Sequence, residues 1–290
     1  MADPSAPQTL AHALFWARTQ GLDTLDAQLL LLHALGRAEH DRAWLLAHDT
    51  DTLPDDAYAV LHAHIARRRQ GEPVAYLTGH KEFYGLDLQV DARVLVPRPD
   101  TETLVDWALE VLAMPDAQAS SLPRSAIDLG TGSGAIALAL KHSCATLQMH
   151  ALDYSHDALQ VAQANAQRLR LEVQFHQGAW LGDITRTFDI IVSNPPYIAA
   201  ADPHLAALTH EPLQALASGA DGLDDIRTIL DQARTRLTHG GWLLLEHGYD
   251  QAALVRNLLI HAGYAQVQSR RDLAGTERCS GGQYVGATPP

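Results

Sequence analysis

Ile127-Asp128-Leu129-Gly130-Thr131-Gly132-Ser133-Gly134-Ala135 is an apolar run that meets three glycines at alternate positions and passes into a helix-prone segment, Ala135 to His142. Glycine permits the tight backbone turn between a strand and a helix. The helix N-terminus behind it offers N–H groups that no turn of the helix satisfies. The segment Ala126 to Leu129 is therefore expected as a strand ending at a ligand-accepting turn. Downstream the same texture repeats. Strands are expected at Leu147 to Leu152, Val173 to His176, Phe188 to Ser193 and Trp242 to Glu246. Helices are expected at His156 to Leu169, Leu223 to Leu237 (followed by Gly240-Gly241) and Gln251 to Gly263. Two β-prone segments, Tyr264 to Ser269 and Gln283 to Gly286, close the chain. Repeating β-α units predict an α/β fold with a mainly parallel, doubly wound sheet and helices on both faces.

Upstream the pattern differs. Residues 8 to about 70 carry helical stripes: Leu10, Leu14 and Trp16-Ala17 up to Gly21, Leu29 to Leu35 after a cap at Asp23 or Thr24, a short segment at Trp44 to Leu46, and Tyr58, Leu61 and Ile65 up to Gly71. Four helices with short joins predict a small bundle. From Pro73 the segments Val74 to Gly79, Lys81 to Gly85 and Leu86 to Val90 are β-prone, and the last alternates strictly, as a linking hairpin would. Asp100 or Thr101 is placed to cap a helix through Leu104 and Leu112, and Met114 to Ser125 is expected as a loop. The expected organisation is a helical docking domain over 1–72, a hairpin linker over 73–96 and a sheet domain over 97–290.

Composition excludes several classes of function. The 290 residues are 47% hydrophobic, ample for a packed core, with no apolar run near the ~18 residues of a membrane span. The N-terminus lacks the basic start of a signal peptide, so a cytoplasmic location and no membrane partner are expected. A net charge of −13 argues against broad phosphate binding and hence against stable nucleic-acid binding. The local exception, Arg67-Arg68-Arg69, suits the C-terminal end of a helix. Cys144 and Cys279 are too few for a disulfide framework, and the 16 histidines form no ligand spacing, so no metal is expected.

A second motif stands on the strand Phe188 to Ser193: Val192-Ser193-Asn194-Pro195-Pro196-Tyr197. Two prolines end the strand and delete two N–H donors. What remains is an array of acceptors, the Asn194 side-chain oxygen and the carbonyls near Pro195, beside the aromatic face of Tyr197. That array suits a planar –NH2 group. Asp153, at the end of the strand after the glycine turn, is placed to accept hydrogen bonds from ribose hydroxyls. Gly130-x-Gly132-x-x-Ala135 also satisfies the dinucleotide fingerprint, so the turn alone does not choose its ligand.

Asp128 before the first glycine, with Gly134 completing Gly-x-Gly-x-Gly, resembles the first motif of Rossmann-like methyltransferases that use S-adenosylmethionine. With Asn194-Pro195-Pro196-Tyr197 it is similar to the amino-methyltransferases. Gly71-Glu72-Pro73 with Tyr76 to Gly79, Glu82 to Gly85, Pro97 to Glu102, Glu211-Pro212 with Ala215-Leu216, and Leu244 to Gly248 narrow the likeness to the HemK family of protein-glutamine methyltransferases. That resemblance implies methyl transfer from S-adenosylmethionine, leaving S-adenosylhomocysteine, to the glutamine of the Gly-Gly-Gln loop of peptide chain release factors, by a monomer. It places the cofactor on Gly130, Thr131, Gly132, Ser133, Gly134, Asp153, Trp180 and Asn194. It places the substrate amide on Asn194, Pro195, Pro196 and Tyr197, with Asn194, Pro195 and Tyr197 as the catalytic set. Ala179 departs from the acidic residue frequent before the tryptophan in this family. Gly281-Gly282-Gln283 repeats the substrate tripeptide and is read as coincidence.

Three other readings fit parts of the sequence. A nucleic-acid amino-methyltransferase would use the same array for a flipped base. A non-catalytic module would bind the nucleotide-like ligand without transfer, and an NAD-linked oxidoreductase would bind NADH.

Overall fold

The computed structural model describes residues 7–114 and 123–286, so most of the loop expected over Met114 to Ser125 lies outside the described residues. The chain forms two compact units, residues 1–80 and 81–290. Among the described residues no helix is long and apolar enough to cross a membrane.

The first unit is helical: α1 (Leu10–Thr19), α2 (Thr24–Ala34), α3 (Arg42–Ala47), α4 (Asp55–Arg68) and α5 (Val74–Thr78). Side chains of Thr9 and Asp23 accept from backbone N–H groups in the first turns of α1 and α2, satisfying donors the helices leave open. Leu10, Leu30, Leu31, Leu32, Leu45, Leu61 and Ile65 fill the core. The Arg67-Arg68-Arg69 run ends α4, where it meets the helix dipole, and Arg68 Nε donates to Asp26 at 2.6 Å. Arg67 pairs with Glu72.

Val74–Thr78, expected as β-prone, is instead the short helix α5. Pro73 precedes it and Gly79 follows with φ +77°, a pairing that starts and stops a helix. Leu77 joins the helical core. Caps and burial override the β propensity of valine, tyrosine and threonine here.

The hairpin of β1 (His80–Phe83) and β2 (Leu86–Gln89) opens at the boundary and leads into the second unit, followed by a 3-10 turn, Pro99–Thr101, and α6 (Glu102–Ala113). Strands and helices then alternate: β3 (Ser125–Leu129), α7 (Ala135–Ser143), β4 (Gln148–Asp153), α8 (His156–Leu169), β5 (Gln174–Gln177), β6 (Phe188–Ser193), α9 (Asp224–Ala233), β7 (Leu237–Glu246) and α10 (Ala252–His261). The hairpin β8 (Tyr264–Arg271) and β9 (Glu277–Tyr284) completes the chain. One sheet runs β5-β4-β3-β6-β7-β9-β8, parallel from β5 to β7 and antiparallel at β9 and β8. Chain order reverses between β3 and β6, which makes that crevice the topological switch point where doubly wound sheets bind ligands.

Three elements of the second unit depart from the sequence reading. The helix expected to run to Leu237 stops at Ala233, and Leu237 opens β7 by pairing with Phe188. Gly240-Gly241, expected as a joint before the strand, lies inside β7, where the register with β6 shifts between Phe188 and Ile190. Gly240 has φ +81°, and a side chain on Gly241 would meet the Asp189 and Thr238 carbonyls at 3.0 Å, so the pair forms a bulge. β9 starts at Glu277 instead of Gln283. Its first residues are polar, yet Cys279 to Gly282 are buried because β7 and β8 enclose them on both edges.

Candidate active site

Registers bring the site residues together. Leu129 pairs with Leu152 on one side and with Ser193 on the other, and Ser193 pairs with Leu245. Gly130, Asp153, Asn194 and Glu246 each directly follow these paired residues, so all four stand at the carboxyl ends of adjacent strands. The buried Ser193 hydroxyl donates to the Leu129 carbonyl at 2.7 Å and locks the two motif-bearing strands.

The glycine turn is built by short-range bonds. Gly130 and Thr131 N–H groups donate to the Leu152 carbonyl, and the Gly132 N–H donates to Asp153 Oδ2 at 2.9 Å. Ser155 N–H holds the other Asp153 oxygen at 2.8 Å. Burial raises the Asp153 carboxyl above its usual range against the pull of these N–H bonds. Beneath the turn, Asp128 accepts from the Thr131 hydroxyl at 2.6 Å and the Ala137 N–H at 3.2 Å. Complete burial pushes the Asp128 carboxyl up to about 7. Asn165 donates to the Ser133 carbonyl at 3.0 Å and exchanges hydrogen bonds with the Gln89 backbone, fastening the turn and the hairpin to α8.

At the end of β6, the Asn194 side-chain Nδ2 donates to Thr101 Oγ1 at 3.3 Å, leaving its Oδ1 as an acceptor. The Tyr197 carbonyl accepts from Gln251 Nε2 at 2.9 Å, while Gln251 Oε1 accepts from the Gly248 N–H at 2.8 Å. Gly222 packs so closely on the Tyr197 carbonyl that no side chain fits there. Burial, with Glu246 nearby, pushes the Tyr197 phenol well above its usual value.

A cavity of about 310 Å³, at the lower end of the range for small-molecule sites, opens over these strand ends. Of the residues expected at the site, Gly130, Gly132, Asp153, Trp180, Asn194 and Pro196 line it. Thr131, Ser133, Gly134, Pro195 and Tyr197 are not among its lining. The Thr131 hydroxyl turns inward to Asp128, and Gly134 caps α7 with φ +86°. Trp180 lies across the mouth of the turn, where a Cβ on Gly130 would be 3.5 Å from its ring, and its indole N–H donates to Asp225 at 3.1 Å. Ala179 also lines the cavity.

Sequence reasoning missed one wall, formed by Arg93, Val94 and Leu95 with Pro212, Gln214 and Ala215. Buried Glu211 joins its two halves, accepting from the Val96 N–H at 3.1 Å and pairing with Arg98 at 2.5 Å. The signal in sequence was an acidic residue beside a proline, which says nothing of a partner more than a hundred positions away.

Two family models match: the Methyltransferase small domain over residues 103–221 and the PrmC N-terminal domain over 8–79. A release factor glutamine methyltransferase of Bordetella pertussis is 48% identical over 266 residues, 90% of this chain and 95% of the relative. One from Burkholderia pseudomallei is 45% identical over 97% of this chain and 98% of its own length. The chain belongs to the release factor glutamine methyltransferase family. Among solved structures, a methyltransferase from Pyrococcus furiosus covers 78% of this chain and 99% of its own, with TM-score 0.51 and 20% identity. The hMettl16 catalytic domain in complex with a MAT2A 3′UTR hairpin covers 83% of this chain and 87% of its own, with TM-score 0.55 and 15% identity. These two likenesses concern the fold, which the release factor glutamine methyltransferases share with other methyltransferases.

Proposed function

We propose that this protein transfers a methyl group from S-adenosylmethionine to the side-chain amide nitrogen of the glutamine in the Gly-Gly-Gln loop of peptide chain release factors. The observation that carries this reading is the meeting of two chemistries in one cavity. Asp153 and the glycine turn form one side, and Asn194 with its free Oδ1 acceptor forms the other.

The residues fit the cofactor. Asp153 offers carboxylate oxygens for ribose hydroxyls, Gly130 keeps the floor free of a side chain, and Trp180 gives a flat aromatic wall for the base. When bound, S-adenosylmethionine supplies a methyl group on a positively charged sulfur. The chain's own residues then orient the acceptor. Asn194 Oδ1 and the Pro195 carbonyl accept the two N–H bonds of the substrate amide, which aims its nitrogen and favours the positive charge developing there. Pro196, which lines the cavity, gives the wall against which the amide plane rests. No strong base is required, because an amide nitrogen that gains a methyl group releases its proton readily. The helical first unit, which exposes Phe15 and Leu46, would dock the protein substrate.

The test uses labelled S-adenosylmethionine with release factor, its Gln→Ala loop variant and duplex DNA in parallel. Label on the wild-type factor alone is expected. Label on DNA alone would replace this function with nucleic-acid methylation.

A further inference from the structure

Glu246 is a carboxylate with 1% of its surface exposed, at the end of β7 beside the Asn194 strand end, and the function proposed above gives it no task. Its Oε2 has no hydrogen-bond partner among the described residues. The Thr101 hydroxyl and the Tyr197 phenol both hydrogen-bond the carboxylate, and Thr101 is itself buried. The same hydroxyl oxygen accepts from Asn194 Nδ2 at 3.3 Å. Glu246, Thr101 and Asn194 thus form a three-member polar chain that ends at the cavity.

We infer that Glu246, acting through Thr101, is a positioning residue that holds the Asn194 amide with its oxygen toward the substrate nitrogen; this rests on the function proposed above. The logic is one of proton count. An ionised carboxylate only accepts, and a threonine hydroxyl has one proton to donate. With that proton on Glu246, Thr101 faces Asn194 with lone pairs, and only Nδ2 can turn toward it. Oδ1 is then left for the substrate –NH2 group. A protonated Glu246 reverses every step. It donates to Thr101, Thr101 donates to Oδ1, and Nδ2 swings toward a substrate nitrogen that carries only donors.

The surroundings let this reversal occur near neutral pH. Burial pushes Glu246 up to about 7, opposed by the hydrogen bonds from Thr101 and Tyr197 and by the Arg278 charge. The charged and titratable groups facing it are Arg278 and Cys279 from β9, Asp100 from the turn before α6, and Tyr197. Arg278 is shared between Asp100 and Asp272, each at 3.2 Å. Burial raises the Cys279 thiol and the Tyr197 phenol, so both keep their protons through neutrality. A carboxyl held above its ordinary value is protonated at low pH and ionised at high pH. The productive amide orientation, and with it kcat, therefore rises as pH increases through the neutral range.

The full-length protein is assayed for methyl transfer to release factor between about pH 5.5 and 8.5, with kcat and KM resolved at each pH. Expected for the wild type is a rise of kcat of about fivefold or more, with KM for S-adenosylmethionine steady. Glu246→Gln is expected to give a flat profile and a kcat lowered about tenfold, and Thr101→Val a similar loss that Thr101→Ser largely recovers. Thr101→Val with the wild-type profile and rate would overturn the relay. So would Glu246→Gln that still titrates. A readout independent of turnover is the side-chain NH2 resonance of Asn194 in the wild type, assigned by its loss in Asn194→Asp. It is expected to shift with a midpoint near neutrality and to stand still in Glu246→Gln; a resonance static in the wild type overturns the inference. If it titrates while the wild type methylates no release factor, the functional reading fails and the amide lock stands.

Discussion

The two halves of the cavity are held by different means. The glycine turn is stabilised from close by: Gly132 reaches Asp153, Thr131 reaches Asp128, and Gly130 reaches Leu152, all through strands that adjoin it. The Asn194 end is held from afar, by Thr101 across 93 positions and by Gln251 across 54. A turn held by its own strand, the next strand and the helix after it is a property of one β-α-β-α stretch. An amide whose orientation is fixed by distant side chains is a property of the fold. The difference separates binding from chemistry: damage to the first half should appear as lost folding or cofactor affinity, and damage to the second as lost turnover.

The largest effect is expected at Asn194. Asn194→Ala removes the acceptor proposed for the substrate nitrogen and should lower kcat by about 100-fold or more, measured by initial rates at saturating S-adenosylmethionine. S-adenosylmethionine affinity, measured by calorimetry, should change far less. A variant within threefold of wild type would end the role given to this residue and blur the line between the halves.

Gly134→Ala tests the near half. The glycine has φ +86°, and a Cβ there would lie 3.0 Å from Leu138 and 3.3 Å from Ala162. The left-handed backbone and the contact together should cost about 2 kcal/mol of unfolding free energy, read from urea denaturation. Unchanged stability would show that α7 and α8 yield more easily than the packing implies.

This contrast also explains what could be read in the sequence. The glycine turn, Asp153 and the Asn-Pro-Pro-Tyr strand end were legible because each is a compact pattern whose chemistry is local. The alternation of strands and helices gave the doubly wound sheet for the same reason. Gln251 was not legible, because a glutamine at the start of a helix carries no mark that its amide will bridge Gly248 and Tyr197. Arg93 to Leu95 and Gln214 were hidden likewise, since only the fold brings those loops to one wall. Polar β9 was half missed because its burial comes from neighbouring strands and leaves no apolar run.

Gln251→Met should have a smaller effect, confined to the far half. It keeps the side-chain length and removes the donor to the Tyr197 carbonyl and the acceptor for the Gly248 N–H. Losing these hydrogen bonds, of which that to the Tyr197 carbonyl holds the loop after Asn194, should lower kcat about tenfold. S-adenosylmethionine affinity should stay within about twofold of wild type. A loss of affinity instead of turnover would show that the two halves move together.

The smallest effect concerns Gly281-Gly282-Gln283, which has the substrate's spelling without its exposure. These residues lie within β9, with Leu243 opposite Gly282 and Trp242 opposite Gln283. A side chain on Gly281 would meet the Leu243 carbonyl at 2.5 Å, and one on Gly282 the Tyr264 Cβ at 2.9 Å. The glycines are thus explained by the closeness of the flanking strands. The Gln283 amide is occupied on both atoms: Nε2 donates to the Gly240 carbonyl at 3.0 Å, and Oε1 accepts from Gln266 at 2.6 Å. Reaching a methyl donor would require breaking these bonds and peeling a strand from between two others. Mass spectrometry of the protein incubated with labelled S-adenosylmethionine should therefore find Gln283 unmodified. Label at that position would mean that β9 opens on the timescale of turnover, and that the antiparallel end of the sheet is far less fixed than its pairing implies.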